Sequence, residues 1–128
     1  MKYMLDTNIC IYLMRDAPPG VIGRFNACEE GDVAISAVTW AELCCGVSKD
    51  GEAVLQSILS LVTVLPFGVE QGRAFGRLKE MYPDRKANFD RMIAAHALSL
   101  DMVLVTNDTK DFEIYKSAGL KLENWVQQ

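Results

Sequence analysis

The chain has 128 residues, half of them hydrophobic, and a formal net charge of −4 at pH 7. This length fits a single domain, residues 1–128, which can bury about two-thirds of the surface that its unfolded form exposes. The composition therefore excludes a disordered chain, and the negative net charge argues against nucleic-acid binding through bulk electrostatics. Any contact with nucleic acid must come from local basic patches or from bound cations.

The cysteine pattern indicates neither a zinc site nor a disulfide framework. No CxxC pair occurs, and no histidine lies at zinc-ligand spacing. The adjacent pair Cys44 and Cys45 is typical of small buried hydrophobic side chains, and reduced thiols are typical of a cytosolic protein. The sequence has no signal peptide, polybasic tail or long apolar span. We therefore expect a soluble, cytoplasmic protein with no membrane partner.

The first third of the chain alternates short apolar segments with helical ones. Residues 3–5 predict a buried strand, and residues 7–14 predict a short helix that ends before the Pro-Pro-Gly stretch. A second helix follows at 21–28, with its apolar residues at three-four spacing. Residues 33–35 predict the next strand. Ser36 fits an N-cap and begins a helix that runs to Val47.

The remaining elements repeat this alternation. A helix begins at Gly51, and its positions predicted to face inward are Val54, Leu55, Ile58, Leu59 and Val62. The later predictions are a strand at 62–65, a helix at 69–82, a polar loop at 83–88, a helix at 89–100, a strand at 102–105, a helical turn at 109–115, and an edge strand at 120–123 with Trp125 packed beneath it. Strands that alternate with helices indicate an α/β domain with a mostly parallel sheet of four or five strands flanked by helices and joined by right-handed crossovers.

Four carboxylates stand where a purely structural explanation is incomplete. Asp6 and Asp108 each follow a predicted strand, so both lie at the carboxyl edge of a parallel sheet, where ligand sites occur. Glu42 lies within a helix that is apolar nearly all round, and a buried carboxylate there needs a partner or a metal. Asp90 begins an alanine-rich helix. Helix capping by Asp6 and a favourable helix dipole at Asp90 remain alternative explanations.

Four acids in one cleft would repel one another. Two unit charges ~4 Å apart cost roughly 4 kcal/mol at an effective dielectric constant of ~20. Raised pKa values with shared protons, or a divalent cation, would relieve that repulsion. Ligands that are all oxygen favour a hard ion, Mg²⁺ or Mn²⁺, over zinc.

Four stretches carry these acids in order: MLDTN at 4–8, ISAVTWAEL at 35–43, DRMIAAHA at 90–97 and LVTND at 104–108. As an ordered set they resemble the PIN-domain family, and its VapC-type toxins in particular, over essentially the whole chain. The resemblance implies a Mg²⁺- or Mn²⁺-dependent endoribonuclease that hydrolyses RNA phosphodiester bonds with metal-activated water. It also implies the toxin half of a type II toxin–antitoxin pair. The implied partners are a cognate VapB-type antitoxin, an RNA substrate such as transfer or ribosomal RNA, and a second copy in a homodimer.

The resemblance also implies roles for individual residues. The catalytic and metal-binding acids carry over to Asp6, Glu42, Asp90 and Asp108, with Asp111 as a nearby alternative to the last. The polar neighbours expected to shape the site are Thr7, Asn8 and Thr106.

One segment departs from the family pattern. Relatives often carry a glycine-rich approach to the third acid, whereas this chain has PDRKANF at 83–89. Arg85, Lys86 and Arg91 flank Asp90 and are candidates for contacts with the RNA backbone, although a solvated charged loop is the alternative. His96 lies six positions after Asp90 on a different helix face, so we expect it to be structural.

Three other functions were weighed against this interpretation. A dehalogenase-type phosphatase would use Asp6 as nucleophile, but it needs a second Asp where this chain has Asn8. A phospho-receiver domain needs an acceptor Asp after a middle strand, and residues 65–67 offer none. A PIN-like module that only binds partners would be favoured by loss of a core acid, and none is lost. No Ser/His/Asp set or Cys/His pair supports a covalent route.

Overall fold

The structure is a computed structural model that describes residues 1–15, 17–46 and 51–126. Within these ranges, strands and helices alternate along the chain, as predicted. In order they are β1 (Tyr3–Leu5), α1 (Thr7–Met14), α2 (Pro19–Ala27), β2 (Val33–Ser36), α3 (Ala37–Cys45), α4 (Gly51–Leu61), β3 (Thr63–Leu65), α5 (Val69–Met81), α6 (Asn88–Ser99), β4 (Val103–Val105), α7 (Thr109–Phe112), a 3₁₀ helix (Glu113–Ala118) and β5 (Lys121–Glu123).

The five strands form one sheet in the order β3-β2-β1-β4-β5, and every pair is parallel. This confirms the predicted α/β class and includes the predicted edge strand. The chain builds outward from β1 through β2 to β3, and then continues on the other side of β1 with β4 and β5. The direction of winding therefore reverses between β1 and β4, which is where open α/β sheets bind their ligands.

Helices cover both faces of the sheet. Because neighbouring residues of a strand point to opposite faces, each strand contributes side chains to two cores. Met4 and Leu104 belong to a core that they share with α5 and α6. Leu5 and Val105 belong to a second core that they share with α1, α2 and α4. The strands are therefore apolar on both faces, as parallel strands between two helical layers require.

Trp125 closes the second core from the end of the chain. Its side chain is fully buried, its ring lies edge-on to Tyr3 with centroids 5.3 Å apart, and its Nε1 donates to Glu123 Oε1 at 3.0 Å. The guanidinium of Arg24 lies 5.4 Å from the centre of the same ring. The prediction that Trp125 packs beneath the last strand is confirmed.

Some predicted positions are wrong. Val54 and Leu59 of α4 are exposed, because the helix lies at the surface of its layer and turns only one stripe toward the core. Cys44 and Cys45 are exposed and free, since they lie in the last turn of α3, beyond the part that packs on the sheet. The predicted extension of α3 to Val47 lies outside the described residues.

In the described ranges, no helix combines the length and the apolar character needed to cross a membrane.

Candidate active site

Asp6 is fixed at the carboxyl end of β1. Its backbone N–H donates to the carbonyl of Val105 on neighbouring β4 at 2.9 Å. Its Oδ1 accepts the N–H of Thr7 at 2.8 Å, and its Oδ2 accepts the hydroxyl of Thr106 at 2.9 Å. The carboxylate therefore caps α1 and faces the winding reversal at the same time. The capping and site explanations of Asp6 are compatible.

Thr106 links this acid to the end of β4. Its side chain is fully buried, and its Oγ1 accepts the backbone N–H of Asp108 at 3.0 Å while donating to Asp6. One hydroxyl thus sets the position of the first acid and of the backbone that carries the last. Asp108 itself is exposed at the beginning of α7.

Glu42 reaches the same edge from α3. That helix begins at the carboxyl end of β2, where Ser36 Oγ accepts the N–H of Val38 at 3.0 Å. Glu42 Oε1 accepts the hydroxyl of Thr7 at 3.0 Å, so the residue after Asp6 bridges to the second acid. Burial and the charge of Asp6 raise the pKa of Glu42, and the hydrogen bond from Thr7 partly opposes this.

The charges of the other acids at this edge all affect Asp90. Burial, together with the charges of Asp6, Asp111, Glu42 and Asp108, raises its pKa from 3.8 to about 6. Burial also raises the pKa of Asp6, against hydrogen bonds from Thr7 and Thr106 that lower it. The acids chosen from sequence therefore act on one another across the carboxyl edge, although they come from four separate elements.

Asp111 joins this cluster and does not merely substitute for Asp108. It contributes to the raised pKa values of both Asp6 and Asp90, and a hydrogen bond to it raises the pKa of Asp108. The sequence signal for this fifth acid is its spacing of three residues from Asp108, which places both at the beginning of one short helix.

The donor set fits a hard divalent cation. Among the described residues, no three His, Cys, Asp or Glu side chains are arranged so that they could hold a metal by themselves. Mg²⁺ retains several waters and is usually bound through one or two carboxylates together with substrate phosphates, so a complete protein cage is not required. Carboxylates that repel one another have raised pKa values. A divalent cation bound between them would offset this repulsion and stabilise their ionised forms.

The predicted basic contacts separate into three cases. Lys86 is exposed, and Arg85 is partly buried beside Asp111, with Nη2 3.9 Å from Oδ1. Arg91 is fully buried, which contradicts its predicted contact with RNA: its guanidinium turns inward beneath the loop instead of outward to solvent. Asn8 is exposed at the beginning of α1, and its predicted role in shaping the site stays a prediction.

His96 lies in the core and away from solvent. Its Nδ1 is 2.8 Å from Ser36 Oγ, and its ring is edge-on to Phe67. Burial lowers its pKa from 6.5 to about 4, so the ring is neutral at physiological pH. These contacts are those of a structural residue.

A cleft of about 250 Å³ opens beside the acids between α1, α3 and α4. Thr7 and Glu42 form its polar end, and Ile11, Leu55 and Ile58 line its apolar part. The acidic edge is therefore continuous with an apolar groove.

Comparison with known proteins agrees with this arrangement. The sequence profile of the PIN domain matches residues 3–117. The chain is 36% identical to the tRNA(fMet)-specific endonuclease VapC of Shigella flexneri over 98% of each chain, and 37% identical to Ribonuclease VapC2 of Haemophilus influenzae over 98% of this chain and 99% of that one. It is also similar to a chain in the crystal structure of VapBC2 from Rickettsia felis bound to a DNA fragment from their promoter, with a TM-score of 0.87, 32% identity, and coverage of 98% of this chain and 99% of that chain. The chain therefore belongs to the PIN domain family and, within it, to the VapC ribonucleases.

Proposed function

We propose that this chain is the toxin of a type II toxin–antitoxin pair, an endoribonuclease that uses Mg²⁺ or Mn²⁺ to hydrolyse RNA phosphodiester bonds. The observation that carries the proposal is the mutual electrostatic effect of Asp6, Glu42, Asp90 and Asp108 at one edge of the sheet. Neither a phospho-receiver nor a dehalogenase-type phosphatase gains support from the related proteins, which are named as ribonucleases.

Asp6 and Asp90 are the primary residues to hold the cation, with Glu42, Asp108 and Asp111 completing the anionic edge. A bound Mg²⁺ or Mn²⁺ supplies positive charge for the phosphate oxygens and lowers the pKa of water. The chain itself contributes orientation. The hydroxyl of Thr106 fixes one oxygen of Asp6, and the hydroxyl of Thr7 fixes one oxygen of Glu42.

RNA approaches this edge against an unfavourable charge, because the chain has 17 acidic residues and 13 basic ones. The loop before Asp90 carries the candidates for contacts with RNA phosphates, which are Lys86 and, to a lesser extent, Arg85. Because the Shigella relative is a tRNA(fMet)-specific endonuclease, transfer RNA is the first substrate class to test.

The partner proposed is a VapB-type antitoxin, supported by the VapBC assemblies among the similar structures. An arginine from such a partner would pair well with carboxylates at the polar end of the cleft, because its fork matches their geometry. An apolar segment on either side of that arginine would fit Ile11, Leu55 and Ile58. We also propose a homodimer.

The test is cleavage of transfer RNA by the purified protein with and without divalent ions. EDTA should stop cleavage, and Mg²⁺ or Mn²⁺ should restore it. Asp6→Asn should abolish cleavage with the fold intact, because asparagine still caps α1. Asp84→Asn, an exposed acid in the neighbouring loop, is the matched control and should remain active. Metal-independent cleavage, or full activity of Asp6→Asn, would contradict the assignment.

A further inference from the structure

The loop before α6 is held from inside by a buried arginine. Arg91 is fully buried, its Nη1 donates to Asn88 Oδ1 at 2.7 Å, and its Nη2 donates to the backbone carbonyl of Arg85. Its guanidinium carbon lies 5.7 Å from the ring centre of Phe75 on α5. One side chain therefore connects α5, α6 and the connecting loop.

A second arginine extends this connection to α7. Arg85 Nη2 donates to the backbone carbonyl of Asp111 at 2.8 Å, and the same nitrogen lies 3.9 Å from the Oδ1 atom of that residue. Arg91, Asn88, Arg85 and Asp111 thus form a continuous set of contacts, here called the arginine latch. Its two ends adjoin acids of the cluster, since Arg91 directly follows Asp90 and Asp111 is itself a member.

The cost of burying Arg91 indicates what it contributes. A desolvated cation costs several kcal/mol unless it is well paired. Among the ion pairs of the described residues, none involves Arg91. Its guanidinium donates to the backbone carbonyl of Arg85 in the loop and to the side-chain amide oxygen of Asn88 at the beginning of α6, and it lies over the ring of Phe75. The hydrogen bonds of this guanidinium therefore stabilise the conformation of the loop before α6.

We propose that Arg91 is a positioning residue for RNA cleavage, which acts through the arginine latch to fix the spacing between Asp90 on α6 and Asp111 on α7. The latch connects the PDRKANF loop, residues 83–89, to α5 through Phe75 and to α7 through Asp111. This inference rests on the proposed ribonuclease function. It adds a residue that touches neither substrate nor reacting atoms.

The test compares Arg91→Met with Arg24→Met in the full chain. Arg24 is a comparison variant because it also lies over an aromatic ring, that of Trp125 in the core on the other face of the sheet, although its side chain is 35% exposed and paired with Glu123. Arg91→Met should lower kcat for transfer RNA cleavage roughly 10- to 100-fold, because small displacements of reacting groups are costly. The Mn²⁺ concentration that gives half-maximal rate should rise about 10-fold, as for other supports of metal ligands. Arg24→Met should change both values less than about 2-fold when both variants are measured well below their melting temperatures.

Hydrogen exchange in EDTA gives a readout that does not depend on activity. Amides of residues 84–89 should exchange faster in Arg91→Met than in the wild type, and those residues should be unchanged in Arg24→Met. Three results would each overturn the inference. Arg91→Met could show the same loop exchange as the wild type, it could show the same kcat and Mn²⁺ response as the wild type, or Arg24→Met could lose as much activity as Arg91→Met. If Arg91→Met does not fold, Asn88→Ala is the second variant, because it removes one acceptor of Arg91 at an exposed position. Asn88→Ala should speed amide exchange in the loop and lower kcat. No change in either quantity would overturn the proposal. Absence of metal-dependent cleavage by the wild type would instead refute the proposed function, whereas the exchange measurement would still decide the role of Arg91.

Discussion

Replacing Asp90 by asparagine should stabilise the metal-free protein at neutral pH while abolishing RNA cleavage. Burial and four neighbouring acids raise the pKa of Asp90 from 3.8 to about 6. The folded state therefore binds a proton more tightly than the unfolded state does, and ionising Asp90 costs folding free energy. Asparagine is nearly the same size and has no charge to ionise.

The sign and size of the effect follow from this raised pKa. Between pH 3.8 and 6 the folded protein holds more protons, so the free energy of unfolding falls as the pH rises through this window and stays lowered above it. A difference of about two pH units corresponds to at most about 3 kcal/mol. Solvent screening at this half-buried side chain should leave on the order of 1–2 kcal/mol.

The assay is urea denaturation in EDTA at pH 4 and at pH 7.5, with the wild type, Asp90→Asn and the exposed control Asp84→Asn. Asp90→Asn should match the wild type at pH 4 and exceed it by about 1–2 kcal/mol at pH 7.5, whereas the control should stay within about 0.5 kcal/mol at both. Adding Mn²⁺ should raise the stability of the wild type but not that of Asp90→Asn. A variant that is less stable than the wild type at pH 7.5, or equally shifted at both pH values, would refute the electrostatic reasoning.

Three further results are expected. Thr106→Val should lose about 1–3 kcal/mol of stability because the buried carboxylate of Asp6 loses a donor, and Thr106→Ser should recover most of it in the same urea titration. The free energy of unfolding should fall as the pH drops from 6.5 toward 4, because the unfolded state protonates His96 before the folded state does. His96→Gln should lack this pH-dependent loss in acid titrations followed by circular dichroism. Trp125→Ala should cost about 3–5 kcal/mol in thermal unfolding yet retain RNA cleavage at temperatures where it is folded, because its ring packs in the second core against Tyr3 and Arg24.

The order of elements and the parallel sheet could be predicted from sequence because they depend on local patterns. Short apolar runs such as residues 3–5 and 103–105 are separated by segments with helical spacing, and parallel strands between two helical layers are apolar on both faces. The exposure of Val54 and Cys44 could not be predicted in the same way. An apolar residue on a surface helix follows the packing of the neighbouring layer, which its own sequence does not specify.

The acids show the same division. Asp6 and Asp108 were identifiable because each follows a strand, and Glu42 because it interrupts an apolar helix. The part played by Asp111 could not be predicted, because it depends on the fold bringing this side chain close enough to Asp6 and Asp90 to raise their pKa values. Arg91 was predicted to contact RNA because it lies beside Asp90 near the beginning of a helix, whereas the fold buries its side chain.

The amino-acid sequence by itself determined the family of this protein, its α/β alternation and the candidate acids of its site, because those depend on residue type and on spacing along the chain. The tertiary structure alone decided how strongly these acids affect one another and that the side chain of Arg91 is buried. Burial and distance between residues as remote as Asp6 and Asp90 set those energies, and neither quantity exists until the sheet has formed.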